Sequence, residues 1–148
     1  MKVLAASSGG GHWVELLRVV PAFASHDLHF VTVRDDYRDD LRDAAGFHAV
    51  MDATQWNPLR AAVLALQMLI LVLRLRPDVV VSTGAAPGYF AIRFGKLLGA
   101  KTIWIDSLAN VEQLSRAGRM AERYSDLWLT QWPDLAGGDG PDYAGQVI

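Results

Sequence analysis

Short apolar runs alternate along this chain with longer stretches of helical periodicity, a pattern typical of an α/β protein with a parallel sheet. The apolar runs predict strands at Lys2–Ala6, Leu28–Val33, Ala49–Met51, Asp78–Thr83, Thr102–Asp106 and Leu127–Thr130. The helical stretches are Gly11–Phe23, Pro58–Arg74, Pro87–Leu98 and Val111–Tyr124. On the first helix, the apolar stripe consists of Val14, Leu17 and Val20. The order of elements predicts a Rossmann-like open parallel sheet with helices on both faces.

Length and composition narrow the possible functions. A chain of 148 residues predicts one domain, here residues 1–136, followed by a Gly/Asp-rich C-terminal tail over residues 137–148. The net charge of −2 argues against a broad basic face, so no nucleic-acid partner is expected. The absence of cysteine excludes disulfides, thiolate nucleophiles and Cys-ligated metals.

Two segments stand out by charge and by hydropathy. Eight of the ten residues in Arg34–Asp43 are charged with mixed signs, which predicts a solvated loop rather than a ligand site. Twelve of the thirteen residues in Ala61–Leu73 are apolar, a run shorter than the roughly 18–20 residues that span a bilayer. We expect this helix not to span. It either packs against the sheet or contacts a membrane surface or a partner.

The glycine-rich loop Ser7–His12 follows the first predicted strand and starts the first helix. Glycines allow a close backbone approach, and a helix N-terminus favours an anion, so Ser8, Gly9, Gly10 and Gly11 are candidate phosphate-binding residues. His12 lies in the first turn, where the helix dipole favours a neutral ring that accepts a proton. A plain strand-to-helix turn is the competing interpretation.

The same loop only partly matches the dinucleotide-binding pattern. Gly9 and Gly11 match its first two glycines, but Val14 occupies the third position. Asp35 follows the second strand, where such enzymes hold the ribose, yet it lies in the charged run. An NAD(P)-binding oxidoreductase domain therefore remains an alternative.

Polar or glycine residues also follow two other strands, and the carboxyl ends of parallel strands share one edge of a sheet. The candidate substrate-binding residues there are Thr83, Gly84, Ser107 and Asn110, with Asp106 as a second candidate base. Arg116, Arg119 and Arg123 repeat on one face of the last helix, which indicates either a solvated face or a site for anionic lipid or pyrophosphate.

Several ordered motifs together resemble one bacterial family. They are SGGGHWVEL at Ser8–Leu16, DVVVSTGAAPG at Asp78–Gly88, GAKTIWIDS at Gly99–Ser107, QLSRAGR at Gln113–Arg119 and QWPDLA at Gln131–Ala136. The family comprises polysaccharide-biosynthesis proteins similar to the membrane-anchoring subunit of the eukaryotic dolichol-linked N-acetylglucosamine transferase.

The resemblance implies the N-terminal, acceptor-binding half of a split GT-B glycosyltransferase. It implies a separate partner chain that holds a UDP-sugar and an acceptor that is a polyprenyl-pyrophosphate-linked saccharide. It places the protein peripherally on the cytoplasmic face of the bacterial inner membrane, in exopolysaccharide, capsule or lipopolysaccharide synthesis. His12 is then the leading catalytic base and Asp106 the second candidate, while Arg116 and Arg119 join the substrate-binding set. No metal or cofactor is expected. A non-catalytic membrane scaffold that recruits a soluble transferase is a further alternative.

Overall fold

A computed structural model describes residues 1–54 and 57–148 of the chain. Within these ranges the strands are β1 (Lys2–Ser7), β2 (Asp27–Thr32), β3 (Gly46–Ala49), β4 (Val79–Gly84), β5 (Lys101–Ile105), β6 (Leu127–Thr130) and β7 (Asp142–Tyr143). The α-helices are α1 (Gly11–Val19), α2 (Pro58–Leu75), α3 (Ala85–Leu97) and α4 (Arg116–Ala121). Short 3-10 turns occupy Val20–Phe23, Asp35–Asp40, Glu122–Tyr124 and Pro133–Leu135.

The described strands form one parallel sheet in the order β3-β2-β1-β4-β5-β6-β7. The chain moves outward in one direction from β1 to β3, and then returns to place β4 on the other side of β1. Such a reversal leaves a crevice at the carboxyl ends of the two central strands, where ligands bind in open α/β sheets. The predicted Rossmann-like architecture is confirmed. Strand β1 leads into the first glycine loop, Ser7–His12, and β4 leads into a second glycine loop, Ser82–Gly88.

Alternate residues of each strand point to opposite faces of the sheet. Apolar side chains on both faces are covered by helices. Val3 and Ala5 of β1 pack in a cluster with Trp13 and Leu16 of α1. On the opposite face, a second cluster combines residues of the sheet with residues of α2, α3 and α4; it includes Leu4, Val31, Met68, Val72, Ile92, Trp104 and Ala121. Helices on both faces are the arrangement that the sequence predicts.

The first helix differs from its prediction in length and in its buried face. It ends at Val19 and continues as a 3-10 turn, because Pro21 has no N–H to donate to the preceding turn. Of the stripe predicted at Val14, Leu17 and Val20, the last two are partly buried and pack against the core, but Val14 is wrong. The buried residues are Trp13, Glu15 and Leu16, while Val14 is exposed.

Three other boundaries also differ. The third strand covers Gly46–Ala49 rather than residues 49–51. The last helix begins only at Arg116, where Ser115 caps it by accepting a hydrogen bond from the N–H of Gly118. Residues 137–148, expected as a tail, contain β7, which pairs with β6 in parallel.

The apolar helix α2 packs on the sheet by one stripe only. Leu64, Met68 and Val72 are fully buried, while the opposite side of the helix is exposed. Among the described residues, α2 is the one helix long and apolar enough to cross a membrane, with a mean hydropathy of 1.8. Only 17% of it is buried in the fold.

Candidate functional site

The two glycine loops lie side by side at the carboxyl ends of β1 and β4, and two hydrogen bonds join them. The Nδ1 atom of His12 lies 3.0 Å from the carbonyl oxygen of Thr83. In return, the hydroxyl of Thr83 donates to the carbonyl oxygen of His12 over 2.6 Å. Thr83 is fully buried and His12 is half-buried. This reciprocal pair fixes the histidine at the edge of the sheet.

The partner of Nδ1 decides the tautomer of the neutral imidazole ring. A carbonyl oxygen only accepts hydrogen bonds, so Nδ1 carries the proton in this contact. In the neutral ring, the lone pair is then on Nε2. His12 is thereby held in the tautomer that a general base needs, with Nε2 as its accepting atom.

Gly84 makes room for this ring. Its φ of 138° lies in a region that favours glycine, and a Cβ at this position would be 2.5 Å from Nδ1 of His12. The next residue, Ala85, also has a positive φ of 65° at the start of α3. Strained backbone of this kind persists where the surrounding structure holds it, and it is frequent at functional sites.

The β1–α1 loop meets a residue that the sequence analysis had set aside. Gly10, with a φ of 69°, donates its N–H to the hydroxyl of Tyr37 over 3.0 Å. Tyr37 belongs to the charged segment and stacks on Trp13, with ring centroids 4.9 Å apart. The segment was predicted as a solvated loop. Its acidic and basic residues are exposed, but Tyr37 reaches the candidate site. Ser8 and Gly9 lie in the same loop and are half-buried.

Asp106 directly follows β5 and is buried, and both of its carboxylate oxygens accept hydrogen bonds. Oδ1 accepts from the indole of Trp104 at 3.1 Å and from the hydroxyl of Ser115. Oδ2 accepts from the backbone N–H of Ser115 at 2.9 Å and from the side-chain amide of Asn110 at 3.3 Å. These four bonds hold the loop before α4 in a non-helical shape, which explains the late start of that helix.

The other two candidates on this loop also bond within it. The hydroxyl of Ser107 accepts from the N–H of Ala109 at 3.2 Å, and its carbonyl oxygen accepts from the N–H of Asn110. Ser107 is buried, and Asn110 is half-buried. The structure thus brings all the predicted loop residues to one edge of the sheet, but the third loop uses its polar groups on itself.

A buried carboxylate on α1 ties this third loop to the first, and the sequence analysis missed it. Oε1 of Glu15 accepts from the N–H of Leu108 at 2.7 Å and from the side chain of Gln131 at 2.9 Å. Gln131 also donates to the carbonyl oxygen of Asp106. The available signal was one acidic residue, one turn after His12, between residues of an apolar helix face.

The predicted cationic face of α4 divides between two hollows. Arg116 lines an apolar hollow of about 450 Å³, together with Ala86 from the second glycine loop and Phe90. Arg119 and Arg123 line a second hollow farther along α3. Tyr89 and Met120 line both.

Comparison with known protein families identifies the family of this chain. Residues 48–146 match the family described as oligosaccharide biosynthesis protein Alg14 like. The chain belongs to the Alg14-like family. It is 31% identical over 158 aligned positions to the UDP-N-acetylglucosamine transferase subunit ALG14 of Eremothecium gossypii, covering 86% of this chain and 70% of that protein. The mouse protein of the same name is 36% identical over 74 positions, covering 44% of this chain and 33% of that protein.

Solved structures share the fold at low identity. The MurG structure from Acinetobacter baumannii superposes with a TM-score of 0.75 at 11% identity, over 96% of this chain and 45% of that one. A UDP-GlcNAc 2-epimerase from Neisseria meningitidis gives 0.67 at 13% identity, over 88% and 40%. The Alg14-like chain thus spans less than half of the length of these proteins, and it has the fold of one half of a GT-B glycosyltransferase.

Two expectations change with these findings. The matched relatives named above are fungal and mammalian, so the bacterial polysaccharide setting implied by the resemblance finds no support in them. The NAD(P)-binding alternative is not favoured either. Asp35, its candidate ribose ligand, instead forms an exposed ion pair with Arg38.

Proposed function

We propose that this chain is the acceptor-binding subunit of a two-component inverting glycosyltransferase. The transferred sugar comes from a UDP-sugar, and the acceptor is a saccharide linked to a polyprenyl pyrophosphate on the cytoplasmic side of a membrane. Family membership supports this role, and the names of its relatives favour N-acetylglucosamine as the sugar. The observation that carries the proposal is the hydrogen-bonded pair of His12 and Thr83 at the edge where the glycine loops meet.

The donor site is assigned to a separate partner chain. A GT-B enzyme closes two domains around its substrates, and this chain supplies the fold of one of them. The UDP-sugar would approach the carboxyl edge of the sheet from the partner. Activity therefore requires both chains.

His12 is the proposed general base. Its Nε2 removes the proton from the attacking hydroxyl of the acceptor while the hydroxyl oxygen forms a bond to the anomeric carbon of the donor. The bond between that carbon and the UDP oxygen breaks with its electron pair, and UDP leaves. A direct displacement of this kind inverts the anomeric configuration.

The glycine loops and helix ends are proposed to hold the acceptor pyrophosphate. The first N–H groups of α1 and α3 have no partner within their helices and carry the positive end of the helix dipole. Ser8, Gly9, Gly10 and Gly11 present the first set, and Thr83 and Gly84 precede the second. Arg116 lies beside the second loop and adds a full positive charge, with Arg119 one turn farther along α4.

Asp106 is better assigned to positioning than to proton transfer. Its two oxygens already accept four hydrogen bonds from the protein, so it has little capacity for a substrate hydroxyl. We assign Ser107 and Asn110 to the same task of shaping the third loop beside the acceptor. The test of His12 separates the two candidate bases.

The decisive experiment uses the chain together with its partner subunit, a UDP-sugar and a lipid-linked acceptor. His12→Asn keeps a polar side chain at the start of α1 but removes the base, so transfer should fall by about 10²–10⁴-fold. His12→Ala should be equally inactive. Circular dichroism and co-purification check that both variants fold and bind the partner.

Two outcomes would contradict the proposal. Full activity of the His12→Asn complex would remove His12 as the base and favour the scaffold alternative, in which the partner does all the chemistry. Robust transfer by the isolated chain would overturn the division into two subunits.

Membrane contact is assigned to the exposed side of α2. Leu59, Leu66, Ile70 and Leu73 lie on this side, spaced by three, four or seven residues. The buried stripe of α2 belongs to the core that covers the sheet, so crossing a membrane would break up that core. We therefore place this helix on the membrane surface, with its exposed leucines in the lipid.

Charged substitutions test this contact. Leu66→Glu with Ile70→Glu should move the chain from the membrane fraction to the soluble fraction without unfolding it. Leu97→Glu, at an exposed leucine on α3, is the control and should leave membrane binding unchanged. Loss of folding in the double variant would assign these residues to the core instead.

A further inference from the structure

A second polar cluster lies between α3 and α4, outside the glycine loops. Three arginines and one glutamate surround a hollow of about 460 Å³ whose walls include Tyr89 and Tyr124. The cations are Arg93 of α3, Arg119 of α4 and Arg123 of the following 3-10 turn, and the acid is Glu122. The cluster carries an excess of positive charge in a chain whose net charge is −2.

Arg93 is held in place by aromatic side chains rather than by a carboxylate. Its guanidinium donates to the hydroxyl of Tyr89 at 3.3 Å and lies 5.4 Å from the ring centre of Tyr124. Its Nε is buried and has no hydrogen-bond partner among the described residues. Within residues 1–54 and 57–148, which the structure describes, no ion pair involves Arg93, Arg119 or Arg123. A partly buried guanidinium charge without a carboxylate partner is costly, and an anion in the hollow would balance it.

The surroundings of this cluster point to the kind of anion. The apolar hollow that Ala61, Phe90 and Ala117 line lies directly beside it, because Tyr89 and Met120 form a wall of both. A phosphate in the cationic hollow would therefore have room for an attached hydrocarbon chain in its neighbour. A free phosphate or a nucleotide would use only the charged half.

We propose that the α3–α4 groove binds an anionic phospholipid, with its phosphate between Arg93, Arg119 and Arg123 and an acyl chain in the apolar hollow. Guanidinium groups bind phosphate through paired N–H donors, and the aromatic faces hold Arg93 ready to do so. None of the residues 7–12 lines the cationic hollow, so the lipid phosphate lies away from the proposed base, although Arg119 is shared with the proposed acceptor site. It gives the protein a preference among membranes, which the leucines of α2 alone do not provide.

The test compares vesicles of phosphatidylcholine with vesicles that also contain phosphatidylglycerol. The chain should bind the anionic vesicles more tightly, and Arg123→Gln should reduce that preference about fivefold. Arg93→Lys should reduce it similarly, because lysine keeps the charge but lacks the paired donors. Lys101→Gln, at the start of β5 and outside the lining of the hollow, removes the same charge and should change little. Thermal unfolding confirms that each variant is folded.

The proposal is overturned if the arginine variants and the lysine control behave alike. If Arg93→Lys and Arg123→Gln keep the full preference, or if Lys101→Gln loses it as they do, only diffuse surface charge acts.

A second experiment compares the binding of a short-chain, soluble phosphatidylglycerol with the binding of glycerol 3-phosphate. Chemical-shift changes of the α3 and α4 amides measure both. Tighter binding of the lipid supports the groove. Equal binding of both would identify a free phosphate as the ligand and contradict the lipid site. Failure of sugar transfer would leave these binding results unaffected.

Discussion

The two edges of the sheet both carry polar residues, but they use them differently. At the amino edge, the N–H of Lys2 donates to the carboxylate of Asp78 at 2.8 Å, and its ammonium donates to the carbonyl oxygen of Leu75. Asp126 accepts from the N–H and the hydroxyl of Thr102 and pairs with Lys96. These side chains close the ends of strands β1, β4 and β5.

At the carboxyl edge, by contrast, the glycine loops leave hydrogen-bonding groups unused. Their backbone turns through positive φ at Gly10 and Gly84, and the helix starts that follow have N–H groups without helical partners. His12 uses one ring nitrogen to stay in place and keeps the lone pair of the other. The difference teaches that polar residues at a strand end indicate a site only when the fold leaves part of their bonding capacity unused. By that criterion the loop after Asp106 resembles the amino edge.

Replacing Asp106 should have the largest effect on stability. Asp106→Ala leaves the donors of Trp104, Asn110 and Ser115 without their acceptor in a buried place. We expect unfolding to become easier by about 3 kcal/mol, as hydrogen bonds to charged groups contribute about 1.5–3 kcal/mol each and do not add fully. Urea denaturation measures the loss. A stable Asp106→Ala protein that lacks transfer activity would instead make Asp106 a catalytic residue.

Gly84→Ala should damage activity more than stability. The added methyl meets the ring of His12, and the φ of 138° is unfavourable for alanine. Moving the base from its place should lower kcat about 10²-fold in the assembled enzyme, since displacements near 1 Å cost that much. Gly99→Ala, another positive-φ glycine at the opposite edge, is the control that shares the strain but not the contact. Equal activity of the two variants would separate His12 from catalysis.

Asp126→Asn tests the amino edge. The ion pair with Lys96 and the bonds from Thr102 hold the pKa of this carboxyl below its ordinary value. Its contribution to stability is therefore present above the unfolded pKa, near 4, and is lost as the pH falls through the depressed folded pKa. The variant should unfold about 1 kcal/mol more easily at neutral pH and lose part of the acid dependence, with transfer unchanged. Loss of activity at neutral pH without loss of stability would contradict the contrast between the edges.

Tyr37→Phe should have the smallest effect. The hydroxyl accepts the N–H of Gly10, which we place among the donors for the acceptor pyrophosphate. Its removal frees that donor for the substrate, so KM for the acceptor should fall by less than tenfold while stability changes by under about 1 kcal/mol. Initial-rate kinetics over a range of acceptor concentrations measure this. A rise in KM would make the tyrosine hydroxyl a direct ligand of the acceptor instead.

Local patterns in the sequence were enough for the strands and for the glycine loops. The run Val79–Val81 is apolar without alternation because both faces of β4 are covered, and the glycines mark the turns into α1 and α3. These features depend on residues within a few positions of one another. The amino-acid sequence therefore determined the order of elements, the Rossmann-like fold and the edge where the candidate site lies.

Only the tertiary structure decided which polar residues at that edge are engaged. Gly10 and Tyr37 are 27 positions apart, Glu15 and Leu108 are 93, and Glu15 and Gln131 are 116. No local periodicity records such pairs, because a hydrogen bond across the fold constrains two distant residues and leaves their neighbours free. The same holds for α2, whose apolar composition does not say which side faces the sheet. That choice follows from where the neighbouring layers lie, and it leaves one stripe in the core and the other exposed.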